Sequence, residues 1–265
     1  MVLRRTVWTW MLAACGAAGL AGLPGPAAAD VPAAARTAYT EGRWLDASRL
    51  AEAGRTPDAL AFAARARVAG IVLNGANRAS RRELSQARRL AEAALADSPR
   101  HVEARVQLAT ILGLEARRGS PAVSLAQGRP QQVRTLLLAI LRDAPSDPWA
   151  LSLLGGWHLE SIRMGGQAAA QVLGSDAATG KGLFRRAVDA SPGEPTIPFY
   201  YACALLGLER STANDAEIRG LLATALSRAP RDAFQREVTR RAGLIRSHVA
   251  AGRFDAAREL VLSWM

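Results

Sequence analysis

The chain has 265 residues, is 49% hydrophobic but only 5% aromatic, and carries a formal charge of +11 at pH 7. Almost all of this positive charge is arginine, because Lys181 is the only lysine, and the arginines occur as scattered pairs instead of long tracts. This distribution argues against a nucleic-acid-binding protein and favours solvated helix faces. The alternative is attraction to anionic material of a cell envelope, such as cell wall or lipid headgroups.

The N-terminal segment has the layout of a secretory signal peptide. Arg4 and Arg5 precede an apolar run, Pro24-Gly25-Pro26 breaks the helix, and Ala27-Ala28-Ala29 gives an A-x-A cleavage site. We therefore predict a signal peptide over residues 1–29, which leaves a mature chain that begins at Asp30. A transmembrane anchor is disfavoured because glycines interrupt a run shorter than the roughly 20 apolar residues that a spanning helix needs.

Lipidation is the alternative fate of this segment. Leu12-Ala13-Ala14-Cys15 matches a bacterial lipobox, in which Cys15 is acylated and becomes the mature N-terminus. The segment after Cys15 stays apolar, whereas a lipoprotein tether is usually polar, so we favour cleavage after Ala29. Either route leads out of the cytoplasm, with the periplasm as the expected location and a lipid anchor as the alternative. Cleavage leaves Cys203 as the only thiol, so no intramolecular disulfide is expected.

Helix boundaries are legible along the rest of the chain, whereas strand patterns are nearly absent. Helix-forming Ala, Leu, Arg and Glu dominate, and we expect roughly a dozen helices paired as antiparallel hairpins. The expected boundaries are Thr56-Pro57 before a helix to Leu73, a capping box at Ser80 and Glu83, Asp147-Pro148 before a helix that Gly165-Gly166 end, Ser175 as the cap of the helix with Phe184, Asn214-Asp215 before Ile218, and Gly252 between the last two helices.

A short pattern of small and bulky residues recurs ahead of a proline. In its first copy Ala87, Ala91, Ala94 and Pro99 are spaced by four, three and five residues. The other copies are Gly180, Phe184, Ala187 and Pro192; Ile218, Leu222, Ala225 and Pro230; and, more loosely, Val133, Leu137, Ile140 and Pro145. Small residues let antiparallel helices approach closely, and a recurrence of this kind predicts stacked helical repeats.

The pattern resembles the tetratricopeptide repeat family. Its first helices are matched by Leu108-Ala109, Leu154-Gly155 and Tyr201-Ala202, and its turn into the second helix by Gly42-Arg43-Trp44 and Gly252-Arg253-Phe254. The resemblance implies that residues 30–265 form an all-α solenoid of about six antiparallel hairpins. The proline-to-proline steps of 46, 47 and 38 residues exceed the family's 34, with insertions at Gly119–Pro130 and Gly165–Ser175.

The stretch from Trp149 to Gly166 is the most distinctive part of the sequence. In the tetratricopeptide family the first helix of each hairpin lines a concave groove that binds peptides. By that resemblance the candidate groove residues are Trp149, Gly156, Glu160 and Arg163. The alternative is that Trp157 and His158 pack in the core and that Glu160 and Arg163 form an intrahelical pair.

Motifs of catalysis and cofactor binding are missing from the sequence. His101, His158 and His248 are far apart, and no H-x-x-x-H, C-x-x-C, G-x-S-x-G or phosphate-cradling glycine motif occurs. We therefore expect no enzyme, no cofactor and no metal site. The expected function is a non-catalytic scaffold that binds a protein or peptide partner in the bacterial envelope, with no nucleic-acid partner and with membrane association only through a lipidated Cys15.

Two alternatives to the scaffold remain open at this point. One is a lipid-anchored accessory protein of envelope assembly or transport. The other is a cell-wall-acting enzyme whose site lies in the insertions at Gly119–Pro130 and Gly165–Ser175. The sequence gives no information on the oligomeric state.

Overall fold

The computed structural model describes residues 31–75, 78–117, 121–208 and 211–264. The expected signal peptide of residues 1–29 and the candidate lipidation residue Cys15 lie outside these ranges. The described residues form helices joined by turns and short connections, without a strand among them. No helix within those ranges combines the length and the apolar character needed to span a membrane.

Thirteen helices make up the described part of the chain, in good agreement with the expected dozen. Their bounds are α1 Ala33–Glu41, α2 Trp44–Glu52, α3 Pro57–Leu73, α4 Arg81–Asp97, α5 Val102–Arg117, α6 Pro121–Ala126, α7 Arg129–Asp143, α8 Pro148–Leu173, α9 Ala177–Ala190, α10 Thr196–Gly207, α11 Thr212–Ser227, α12 Ala233–Ala250 and α13 Phe254–Ser263. The all-α fold class is thus confirmed.

Three of the expected helix starts have the capping geometry that the sequence predicts. The Thr56 hydroxyl accepts a hydrogen bond from the Ala59 N–H at 3.2 Å, and an Asp147 carboxylate oxygen accepts one from the Ala150 N–H at 2.7 Å. Ser80 and Glu83 form a complete capping box. Each cap satisfies N–H groups that have no partner inside the helix, so the helices begin where these short polar side chains stand.

Of three other expected boundaries, one is confirmed in part and two are wrong. Gly166 has non-helical backbone angles (φ 58°, ψ −152°) that kink α8, so a first helical segment ends there as expected, and a second segment continues to Leu173. Asp176, not Ser175, caps α9, since its carboxylate accepts from the Thr179 N–H at 2.7 Å. Helix α11 begins at Thr212, earlier than expected, because Ser211 is its cap.

The recurring small and bulky residues all lie on buried helix faces. Ala87, Ala91 and Ala94 are completely buried in α4, and the corresponding residues of α7, α9 and α11 are buried as well. A close helix crossing joins two glycines of α8 and α9. A Cβ atom placed on Gly155 would lie 2.8 Å from the Gly180 carbonyl oxygen, so no larger residue fits without a shift of the backbone.

Helices pack against their neighbours along the chain, and the last ones also return to the first. Contacts link α3 to α5, α5 to α8, α8 to α10, α10 to α12 and α12 back to α3, which closes a circuit of five inner helices. The closing contacts include the Trp44 and Phe234 rings at 6.4 Å and a hydrogen bond from the Arg241 guanidinium to the Leu73 carbonyl at 2.9 Å. Because α10 and the first half of α8 are buried on every side, the interior of this circuit is filled by its own side chains.

Candidate functional site

The sequence-predicted groove residues at the start of α8 lie in the protein core. Trp149 is 6% exposed and belongs to the main hydrophobic cluster, and Gly156 is buried as well. Every residue from 150 to 159 is buried, so the first three turns of α8 present no face to solvent. Trp149 and Gly156 therefore contact the protein's own helices.

Glu160 and Arg163, the other two predicted groove residues, pair with each other. Two hydrogen bonds of 2.7 and 2.8 Å join the Arg163 guanidinium to the two carboxylate oxygens of Glu160. Both side chains are only 13–14% exposed. The stem of Arg163 packs on Gly207 of α10, where an added Cβ would lie 2.8 Å from the Arg163 Cδ. This pair therefore contributes to the packing of α8 on α10, as the alternative interpretation of the sequence had it.

Trp157 and His158 are also held in place by structural contacts. The Trp157 indole N–H donates to the Pro130 carbonyl at 2.9 Å, and His158 Nδ1 accepts from the Asp176 N–H at 3.0 Å. Burial, aided by the nearby Arg134 guanidinium, lowers the pKa of His158. The neutral ring thus joins the first half of α8 to the turn before α9.

His101 and Cys203 are held by structural contacts or by burial. His101 Nε2 donates to an Asp58 carboxylate oxygen at 2.9 Å, while its Nδ1 accepts from the Ala104 N–H at 3.2 Å, so both ring nitrogens are engaged. Cys203 is a buried free thiol, and its burial raises its pKa. Within the described ranges no group of three or more His, Cys, Asp and Glu side chains is arranged to hold a metal ion.

Buried acidic side chains meet near the start of α10 and α12. Glu194 is 5% exposed and accepts hydrogen bonds from the Thr196 N–H at 2.9 Å and from the Gln235 side-chain amide at 2.7 Å. Burial raises the pKa of Glu194 to about 7, with a further contribution from Asp232. Burial likewise raises the pKa of Asp232, which caps α12. These carboxyl groups join the last two inner helices but lie away from solvent.

An open groove lies between α2, the C-terminal half of α3 and the start of α4. It has a volume of about 420 Å³, a size typical of pockets that hold small ligands or a few side chains of a peptide. Its lining comprises residues 43–46 and Arg49 of the α2 region, Arg67, Gly70, Ile71 and Asn74 of the α3 region, and Glu83 of α4.

The groove has one wall formed by a packed aromatic side chain, Trp44, and an exposed apolar side chain, Leu45, at its edge, which we call the lip. Trp44 lies so close to α3 that a Cβ on Gly70 would come within 3.2 Å of the Trp44 side chain, and the Tyr39 ring packs edge-on against the Trp44 ring. Leu45, next to it, is 56% exposed, although large apolar side chains are usually buried. The groove therefore combines a fixed aromatic wall with an apolar side chain that has no cover.

This groove was not predicted from the sequence. Gly42-Arg43-Trp44 was predicted only as a turn between helices, and the structure shows that the same turn supplies one wall of the groove. One sequence feature pointed to it: Leu45 lies off the helix face that Ala47 and Ala51 bury, and so is an apolar residue on the outer side of α2. No comparable sequence feature predicted that Arg67 lies in the groove, because its position beside α2 depends on how α2 packs on α3.

Comparison with known proteins does not assign this chain to a family. No protein-family model matches the sequence, and no curated protein matches it. The functional conclusion therefore depends on the geometry of the groove and on the sequence features given above.

Proposed function

We propose that this protein is a non-catalytic scaffold that binds a segment of a partner protein in the groove between α2, α3 and α4. The observation that carries the proposal is the groove itself, an open volume of about 420 Å³ with the fixed Trp44 wall and the uncovered Leu45 lip. Packed helices hold these walls, so the unbound site is already shaped, which reduces the entropy lost on binding. Apolar residues rimmed by polar ones are typical of surfaces that bind proteins.

The cellular setting forms part of the proposal. The sequence of residues 1–29 supports export, with cleavage after Ala29 as the favoured route and acylation of Cys15 as the alternative. The recurring pattern supports a divergent tetratricopeptide-like protein, a class of scaffolds that bind peptides. Mass spectrometry of the mature protein distinguishes the two routes: an N-terminus at Asp30 supports a periplasmic scaffold, whereas an acylated Cys15 supports a lipid-anchored accessory protein.

Site-specific photo-crosslinking tests the binding function. A photoreactive amino acid is placed in the producing bacterium either at Leu45, on the groove, or at Leu244, which is 40% exposed on α12 and outside the groove lining. We expect a discrete crosslinked partner from position 45 and none from position 244. The partner, once identified and purified, should bind about tenfold more weakly to Leu45→Glu than to the unchanged protein, and Leu244→Glu should leave its affinity unchanged.

The opposite results would overturn the proposal. Identical crosslinking patterns at the two positions, or equal affinities of the purified partner for the two glutamate variants, mean that the groove is not the binding surface. Circular dichroism and thermal melting of both variants verify that the fold is intact, which is expected because both leucines are exposed.

A further inference from the structure

The charged side chains that line the groove differ in how fully they are paired with opposite charges. Three arginines, Arg43, Arg49 and Arg67, face two carboxylates, Asp46 and Glu83. Glu83 accepts from both the backbone N–H and the hydroxyl of Ser80 at 2.7 Å, so it is engaged in capping α4. Arg43 pairs at 2.7 Å with Glu41 outside the lining, and Asp46 pairs at 3.4 Å with Arg43 and at 3.8 Å with Arg49. Arg43 and Arg49 therefore both have a carboxylate in ion-pair contact.

Arg67 is the least compensated of these cations. Its only hydrogen bond within the described residues joins one terminal nitrogen to the neutral side-chain oxygen of Gln86 at 2.9 Å. Its Nε is buried and has no hydrogen-bond partner, and its guanidinium forms no ion pair among the described residues. Burial lowers the pKa of Arg67. The Glu52 and Glu83 carboxylates act in the opposite direction, and the Arg49 and Arg89 guanidinium groups act in the same direction as burial.

A partly buried guanidinium of this kind favours a ligand that brings a negative charge. Arginine stays protonated at physiological pH, so the cost of its burial is offset by an anionic partner and not by loss of a proton. A carboxylate is the group whose geometry fits the planar guanidinium best in a protein partner. Leu45 on the same groove, which is 56% exposed, provides apolar surface for the neighbouring side chain of the same ligand.

We propose that the groove binds an acidic segment of a partner protein, with an Asp or Glu carboxylate on Arg67 and an adjacent apolar side chain on Leu45. This inference rests on the proposed binding function and specifies its ligand. The recessed position of Arg67, which is only partly exposed beside the Trp44 wall, suits a single side chain that enters the groove better than the flat surface of an anionic membrane.

Binding of defined probe peptides tests the acidic ligand. The probe is a fluorescent peptide of about twelve residues, rich in glutamate and with a central leucine, compared with counterparts that carry glutamine or lysine in place of glutamate. We expect the acidic peptide to bind about tenfold more tightly than the glutamine peptide by fluorescence anisotropy, and its affinity to fall with rising salt.

Matched charge-removing variants locate the binding. Arg67→Gln should weaken the acidic peptide by about tenfold, and Arg49→Gln, whose side chain is 72% exposed, should weaken it by a few fold without lowering the melting temperature. Arg142→Gln removes the same charge from an exposed position on α7, a helix that packs on α5, α6 and α8, and should leave affinity unchanged.

Several outcomes overturn the inference. These are equal binding of the glutamine peptide, the absence of binding by any probe, an Arg67→Gln affinity equal to that of Arg142→Gln, or Arg67-dependent binding to anionic phospholipid vesicles without binding of the peptide. If the crosslink from Leu45 persists in these cases, the binding function stands and only the acidic ligand is rejected. If that crosslink is also missing, both proposals fail.

Discussion

Two regions of this protein carry a tryptophan and an arginine on packed helices, and they differ in what surrounds those residues. On α8, Trp149 is 6% exposed and Arg163 is fully paired with Glu160. In the groove, Trp44 is partly exposed, and Arg67 has a neutral hydrogen-bond partner and a buried Nε without one. The region that looked most like a binding site in the sequence is therefore the more completely filled one.

The difference between these regions comes from the position of their helices in the circuit. Helix α8 contacts α5, α7, α9 and α10, and residues 149–159 in its first half are covered on every side. Helix α2 packs mainly on α1 and α3, with a further contact from Trp44 to Phe234 of α12, and Leu45 and Arg49 on its outer side stay exposed. Helical periodicity tells which side chains share a face, but only the neighbouring helices determine whether that face is covered.

Removal of a tryptophan from the interior is expected to have the largest effect on stability. Trp149→Ala should lower the free energy of unfolding by about 3–5 kcal/mol, because the change removes a buried aromatic side chain and leaves a cavity. Leu45→Ala, at the exposed groove lip, should change it by no more than about 0.5 kcal/mol. Urea denaturation measures both, and a loss below about 1 kcal/mol for Trp149→Ala would contradict the assignment of α8 to the interior.

The free energy of unfolding should also depend on pH, because Glu194 is buried in the interior. Its pKa rises from 4.5 in the unfolded chain to about 7 in the folded protein, so the folded state binds the proton more tightly. The stabilising contribution is complete below pH 4.5 and is lost as the pH rises through 7. The contribution of Glu194, measured as the difference in unfolding free energy between the unchanged protein and Glu194→Gln, should be about 3 kcal/mol larger at about pH 4.5 than at about pH 8. His158 acts in the opposite direction over this window, since burial lowers its pKa, and the comparison with the variant removes its effect.

A neutral side chain at position 194 provides the control for this pH effect. Glu194→Gln should flatten the dependence, although Asp232 and Asp147 contribute in the same direction, since burial raises the pKa of each of them. Binding of the acidic probe to the groove should not follow this curve, because Arg67 remains charged throughout the range. An equally steep slope in Glu194→Gln would show that the dependence arises elsewhere.

The glycine crossing of α8 and α9 allows a finer comparison between covered and open positions. Gly155→Ala should destabilise the protein by about 1–3 kcal/mol, because the added Cβ meets backbone and Phe184 atoms at close range. Gly243→Ala, on α12, adds the same atom where nothing lies within 4 Å, and should stabilise by about 0.5–1 kcal/mol through helix propensity. Thermal melting of the two variants should move in opposite directions. Similar shifts in the same direction would contradict the close crossing.

The smallest expected difference between the two regions is in the unfolding free energy lost when an ion pair is broken. Glu160→Gln leaves the mostly buried Arg163 without its charged partner and should cost about 1–3 kcal/mol. Arg49→Gln breaks a 3.8 Å pair between exposed side chains and should cost no more than about 0.5 kcal/mol. Chemical denaturation distinguishes these values. Equal losses would mean that solvent screens both pairs alike.

The sequence predicted local structure well and the candidate site poorly. The caps at Thr56, Ser80 and Asp147 were predicted because capping is a contact between residues three positions apart. Ser175 was predicted as a cap and is not one, because Asp176 accepts the hydrogen bond from the Thr179 N–H, and the buried Ser175 hydroxyl has no hydrogen-bond partner among the described residues. The groove was missed because its walls come from three helices.

What the sequence determined by itself is the set of helices and the faces that they bury. The spacing of Ala87, Ala91 and Ala94 and of its copies specifies those faces, because an α-helix returns to the same side every 3.6 residues. Only the tertiary structure decided that α12 returns to α1 and α3, that the interior of the circuit is filled, and that Arg67 lies beside Trp44 in an open groove. These features depend on the angles at which successive helices pack on one another. These angles add up along the chain, and a local sequence pattern contains no information about their sum.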